Sequence, residues 1–96
     1  MKIIQTEEFK DWLDEQRSFI RLRILLRMDK LEYEEHFGDF KYLGAKLFEL
    51  RWRNGFRIYF SRIGDNTLLF LIGGNKNEQK KNIKKARILI SGYADR

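Results

Sequence analysis

The sequence has no cysteine, no proline, a single histidine and no long apolar run. Each absence closes off a class of protein. Without cysteine there is no disulfide framework, no thiol nucleophile and no thiolate metal site. Without proline, no turn relies on a fixed φ. The one histidine, His36, has no second histidine, cysteine or carboxylate at ligand spacing, which argues against a metal site. A loop-edge side chain suits His36 better than a general base, which needs a partner. No apolar stretch approaches the roughly 18 residues of a spanning helix, so no membrane partner is expected. The segment MKIIQTEEF lacks the apolar core and cleavage site of a secretion signal, and the expected compartment is the cytoplasm. Neither a G-x-S-x-G nucleophile turn nor a GxxxxGK[ST] phosphate loop occurs, and no cofactor is expected.

What remains is a short, charged and aromatic chain. Its 96 residues suffice for one domain, taken as 1–96. A domain this size buries only about 60–65% of its unfolded surface, so each large apolar residue counts. Hydrophobic residues make up 43% and charged residues 35%, the balance of a globular protein. The net charge of +6 is placed unevenly. Met1 to Phe40 holds 7 Lys/Arg against 10 Asp/Glu, a net of −3, while Lys41 to Arg96 holds 13 against 4, a net of +9. A basic rear half predicts a polyanionic partner; the alternative is a solvated surface rich in lysine.

Ile3 and Ile4 predict a short first strand. Thr6 predicts a helix cap, with Glu7, Glu8 and Asp11 placed to favour the positive helix start. Helical spacing of Phe9, Trp12 and Leu13, then of Phe19, Ile20, Ile24, Leu25, Met28 and Leu31, predicts helices over Glu7–Gln16 and Ser18–Tyr33. Three strand-like runs follow, Lys46–Trp52, Phe56–Arg62 and Thr67–Ile72, separated by Arg53-Asn54-Gly55 and Gly64-Asp65-Asn66. Phe40–Leu43 is a candidate edge strand. After Gly73-Gly74 the spacing of Ile83, Ala86 and Ile90 is helical again. The expected fold is α+β, in the order β-α-α-β-β-β-α, a small antiparallel sheet with helices packed on one face.

The register of the first strong hairpin can be worked out on paper. A two-residue turn at Asn54-Gly55 sets Arg51 against Ile58 and Trp52 against Arg57, mixing polar and apolar on both faces. A three-residue loop, Arg53-Asn54-Gly55 with Gly55 left-handed, pairs Trp52 with Phe56, Leu50 with Ile58 and Phe48 with Phe60. That apolar face leaves Arg51 opposite Arg57, Glu49 opposite Tyr59 and Leu47 opposite Ser61. Register follows the hydrophobic pattern, so the second solution is preferred. Two arginines facing each other repel unless an anion lies between them, and guanidinium groups grip phosphate in two parallel hydrogen bonds. The pair, with Tyr59 on the same uncovered face, predicts an RNA-phosphate site. The alternative is that Glu49 neutralises one arginine and the pair only solubilises the sheet.

Gly73-Gly74-Asn75-Lys76 joins a strand to a basic helix. Backbone N–H groups at a helix start attract anions, and Lys76 adds a full charge there. The alternative is a glycine turn with an asparagine cap. Lys80, Lys81, Lys84 and Lys85 crowd one helix, facing either nucleic acid or water. Arg53, Lys41, Lys46, Lys80 and Lys84 are the candidates for contacts to an RNA backbone.

Taken in order, Gly38-Asp39-Phe40-Lys41, Glu49-Leu50-Arg51, Arg57-Ile58-Tyr59-Phe60 and Gly73-Gly74-Asn75-Lys76, followed by Gln79, Ile83 and Ala86, form a pattern. It resembles the phage-derived addiction module killer branch of the RelE/ParE toxin superfamily, from Phe9-x-x-Trp12-Leu13 to Ile88. Two features depart from that branch: a shorter hairpin loop, and Asn75 where aspartate is common. The resemblance implies a toxin of a type II toxin–antitoxin pair, with a small, often helix-turn-helix antitoxin as partner. It further implies a metal-independent endoribonuclease acting on mRNA at the ribosome. Arg51, Arg57, Tyr59 and Lys76 fall on its motif positions, and Glu49 is a candidate general base. Some relatives inhibit DNA gyrase without catalysis, so a gyrase inhibitor stands as one alternative and a non-toxic nucleic-acid-binding accessory protein as another.

Overall fold

The apolar residues of the strands fall alternately on two faces, and both faces are covered. The computed structural model describes residues 1–94 and gives the elements in chain order. They are β1 (Lys2–Gln5), α1 (Glu7–Asp14), α2 (Ser18–Glu34), β2 (Phe40–Gly44), β3 (Leu47–Arg51), β4 (Phe56–Gly64), β5 (Thr67–Asn75) and α3 (Gln79–Ala94). A short 3-10 turn, Lys76–Glu78, leads into α3. The α+β class and the element order are those expected.

The sheet runs β1-β5-β4-β3-β2. Four strands are antiparallel, but β1 joins β5 in parallel, so the sheet is mixed. The parallel edge follows from the connection. β1 leads through two helices before the sheet resumes, and a long connection permits parallel pairing. β5, an almost unbroken apolar run, is then flanked on both sides and buried along nearly its whole length.

Leu68 and Phe70 of β5 point to one face, where they join Leu50, Ile58 and Phe60 under Phe9, Leu13, Ile24, Met28 and Leu31 of α1 and α2. Thr6 caps α1 by accepting from the Phe9 amide, as expected, and also donates to the Leu71 carbonyl of β5. Leu69, Leu71 and Ile72 join Leu47 and Tyr59 on the other face, beneath Ala86, Ile83 and Ile90 of α3. The expectation of helices on one face therefore describes α1 and α2, while α3 lies against the second. β4 and β5 carry apolar side chains on both sides, and leaving one side bare would expose several large residues to water. No helix among the described residues is long and apolar enough to cross a membrane.

Candidate nucleic-acid interface

The hairpin between β3 and β4 has the predicted register. Leu50 pairs with Ile58, Phe48 with Phe60, Glu49 with Tyr59, Leu47 with Ser61, and Arg51 with Arg57. The loop closes with the Trp52 amide donating to the Phe56 carbonyl at 3.0 Å and the Gly55 amide to the Trp52 carbonyl at 3.0 Å. Gly55 has φ +98°, the left-handed conformation the three-residue loop requires.

The second face is where the arginines stand. Glu49 has no exposed surface and anchors them. Its Oε1 accepts from Arg51 Nε at 2.7 Å and lies 3.7 Å from an Arg57 guanidinium nitrogen. Its Oε2 accepts from Gln79 Nε2 at 2.9 Å, a contact that ties α3 to β3. Burial by itself would raise the Glu49 carboxyl, but the hydrogen bonds from Arg51 and Gln79 and the charge of Arg57 prevail and hold it below the ordinary carboxylate range. The hydrogen bond to Glu49 in turn raises Arg51 above the usual guanidinium value.

α3 corrects the picture of an uncovered face. The Arg51 side chain remains 31% exposed, Arg57 only 14%, and Tyr59 is wholly buried. Tyr59 therefore offers no ring face to a base; it packs in the core with Leu47 and Leu69. Its hydroxyl lies beside Glu49 without the geometry of a hydrogen bond, and burial followed by that neighbouring charge pushes it well above the ordinary tyrosine range. Arg57 Nε and Asn82 Nδ2 are likewise buried without a hydrogen-bond partner among the described residues.

The other basic residues divide into two groups. Lys41 pairs with Glu49 across β2 and β3, and cross-strand partners share a face, so Lys41 stands exposed beside the arginines. Lys76 packs within reach of Gly55, at the same end of the sheet as Arg53. Asn75 caps this turn in a reciprocal box with Glu78, which occupies N–H groups an anion would otherwise use. Lys80, Lys84 and Arg87 follow one stripe of α3, and Arg87 donates to the Leu43 and Gly44 carbonyls, placing that stripe beside β2. Lys46 stands apart. It lies at the far end of β3, in a groove of about 1010 Å³ with Arg62, Ile63 and Ile90.

Three side chains act here without a strong signal in the sequence. Arg27 of α2 donates to the Phe37 carbonyl at 2.9 Å, the Asp39 carbonyl at 2.7 Å and the Arg51 carbonyl, with its guanidinium 4.2 Å from the Trp52 ring centre. It fixes the backbone of Arg51 from the opposite face. Desolvation lowers its pKa, against the opposing pull of Asp39. Gln79 was visible as a motif position but not as the second ligand of Glu49. The Asn82 amide nitrogen packs against Gly74, where an added Cβ would come within 1.9 Å of it.

No family model matches the chain. An uncharacterized protein of Haemophilus influenzae is 32% identical over 92 residues, covering 93% of this chain and 92% of that protein. Among solved structures, the RelB–RelE antitoxin–toxin complex of Methanococcus jannaschii aligns with a TM-score of 0.66 at 17% identity, over 82% of this chain and 96% of the other. The isolated E. coli RelE toxin aligns at 0.65 and 14% identity, over 85% and 97%. The intact E. coli RelBE toxin–antitoxin complex aligns at 0.65 and 13% identity, over 77% and 94%. The chain belongs to one family with the Haemophilus influenzae protein, and its fold is that of the RelE toxins.

Proposed function

We propose that this chain is the toxin of a type II toxin–antitoxin pair, and that it cleaves mRNA held on the ribosome. Its fold neighbours are RelE toxins, two of them in complex with a RelB antitoxin, which supports a cognate antitoxin as partner. The observation that carries the reading is the Arg51–Arg57 pair, two guanidinium groups gathered on one buried carboxylate, with Arg51 still open to solvent. A positive cluster with low-dielectric walls is suited to a phosphate.

RNA brings its own nucleophile. The 2′-hydroxyl gives its proton to water, and its oxygen bonds to the adjacent phosphorus as the bond from phosphorus to the 5′-oxygen breaks. The departing 5′-oxygen takes a proton from water, leaving a 2′,3′-cyclic phosphate and a 5′-hydroxyl, and on the way negative charge builds on the phosphoryl oxygens. Arg51 meets that charge directly, and Lys41 and Lys76 add to the field. In-line placement of the two oxygens is left to the ribosome-bound substrate. Glu49 is a positioning residue rather than the general base. A buried carboxylate with a lowered pKa and both oxygens occupied is a poor proton acceptor.

Mapping mRNA 5′ ends in translating cells that express the chain alone tests this. Cuts in codon register are expected, lost in Arg51→Ala and reduced in Arg57→Ala. Intact mRNA with arrested growth and blocked gyrase would instead assign the chain to the gyrase inhibitors. Harmless expression would leave only a nucleic-acid-binding role.

A further inference from the structure

We propose that the outer face of α2 is a self-association surface, through which two copies of this chain pair antiparallel. Phe19, Leu22, Leu26 and Tyr33 are 59%, 57%, 54% and 79% exposed. At about 100° per residue they fall within an arc of roughly 60° on the side of the helix opposite the buried Ile24. Single exposed apolar residues are ordinary, but four large ones aligned along one helix mark an interface. Their spacing is that of a helix–helix seam.

The charges name the occupant. The first half of α2 and its cap carry Arg17, Arg21 and Arg23 with no acid, while Asp29, Glu32, Glu34 and Glu35 gather at its end, with Lys30 the one exposed base among them. This polarity opposes the helix dipole, with no acidic residue in the first turn and no basic one in the last. An isolated helix is weakened by such placement. An antiparallel second copy turns it into attraction, because each basic half then meets an acidic end.

The apolar residues fit the same symmetry. Phe19 and Tyr33 each lie seven residues from Leu26. A twofold axis at Leu26 therefore brings Phe19 of one copy beside Tyr33 of the other, and sets the exposed Arg23 level with the exposed Asp29. A self-complementary patch of this kind is what a two-fold interface requires. α2 packs on the sheet face away from Arg51 and Arg57, so pairing leaves the candidate RNA face open.

Sedimentation of the full chain from about 1 to about 100 µM, at low and high salt, tests the proposal. A monomer–dimer equilibrium that weakens as salt rises is expected. Leu26→Glu should weaken it by about 100-fold or more with circular dichroism and melting temperature unchanged. Asp29→Arg should weaken it as well, and adding Arg23→Asp should restore it. A chain that is monomeric throughout, or a dimer indifferent to Leu26→Glu, overturns the proposal. So does a monomer whose Leu26→Glu variant loses its antitoxin, because the seam then belongs to that partner.

Discussion

Glu49 carries a negative charge with no exposed surface, and everything around it is arranged to keep that charge. Its folded pKa lies below the ordinary carboxylate value of about 4.3. A depressed pKa means that the stabilising contribution is complete above that ordinary value and is lost as pH falls through the lower folded one. Acid unfolding of the wild type should therefore include a loss that Glu49→Gln lacks, read as a flatter curve of melting temperature against pH below about pH 4.5. At neutral pH, Glu49→Ala should destabilise by on the order of 2–3 kcal/mol in urea titration, since two guanidinium groups and Gln79 lose their acceptor. Tyr59→Phe is the contrasting case. Its hydroxyl is buried without a hydrogen bond, so its removal should change stability by less than about 0.5 kcal/mol in the same titration. A large loss would place a true hydrogen bond between Tyr59 and Glu49.

The β3–β4 hairpin was legible as an element because one rule settled it. Only the three-residue loop puts Phe48, Leu50 and Trp52 on one face with Phe56, Ile58 and Phe60, and the observed register and left-handed Gly55 follow from that. Gly55→Ala should accordingly cost about 1 kcal/mol, as the Cβ meets an unfavourable φ with space otherwise available. Gly73→Ala should cost more, on the order of 3 kcal/mol by thermal unfolding, because its Cβ would enter the Trp12 ring at 2.4 Å. The rest of the architecture was hidden for identifiable reasons. β1 has four residues and no partner signal of its own, so its parallel pairing with β5 depends on tertiary context. The position of α3 was hidden too. Its apolar face predicted packing but not which side of the sheet, and that choice decides that Tyr59 is core and Arg57 nearly covered. Arg27 was unreadable for a further reason. Its partners are backbone carbonyls 10, 12 and 24 residues away, and carbonyls leave no mark in a sequence.

Across the whole molecule the basic rear half becomes a surface. Arg51 and Lys41 stand beside one buried carboxylate on the second sheet face, Lys80 and Lys84 follow along the α3 stripe that Arg87 ties to β2, and Lys76 and Arg53 lie at the hairpin end. Binding of single-stranded RNA to such a surface releases counterions, about 0.7 per neutralised phosphate in the slope of log K against log salt. Four phosphate contacts give a slope of about −3 on that rule. Arg51→Ala and Lys84→Ala should each reduce its magnitude by about 0.7, because each removes one charge from the track. Lys46→Ala should leave it unchanged, since Lys46 lies at the far end of β3. The three titrations also separate surface from chemistry. On the proposed function, Lys84→Ala should weaken RNA binding while codon-register cuts in ribosome-bound mRNA persist, whereas Arg51→Ala should lose those cuts as well. A slope insensitive to Arg51 but reduced by Lys46→Ala would move the RNA track to the groove beside Arg62 and away from the arginine pair.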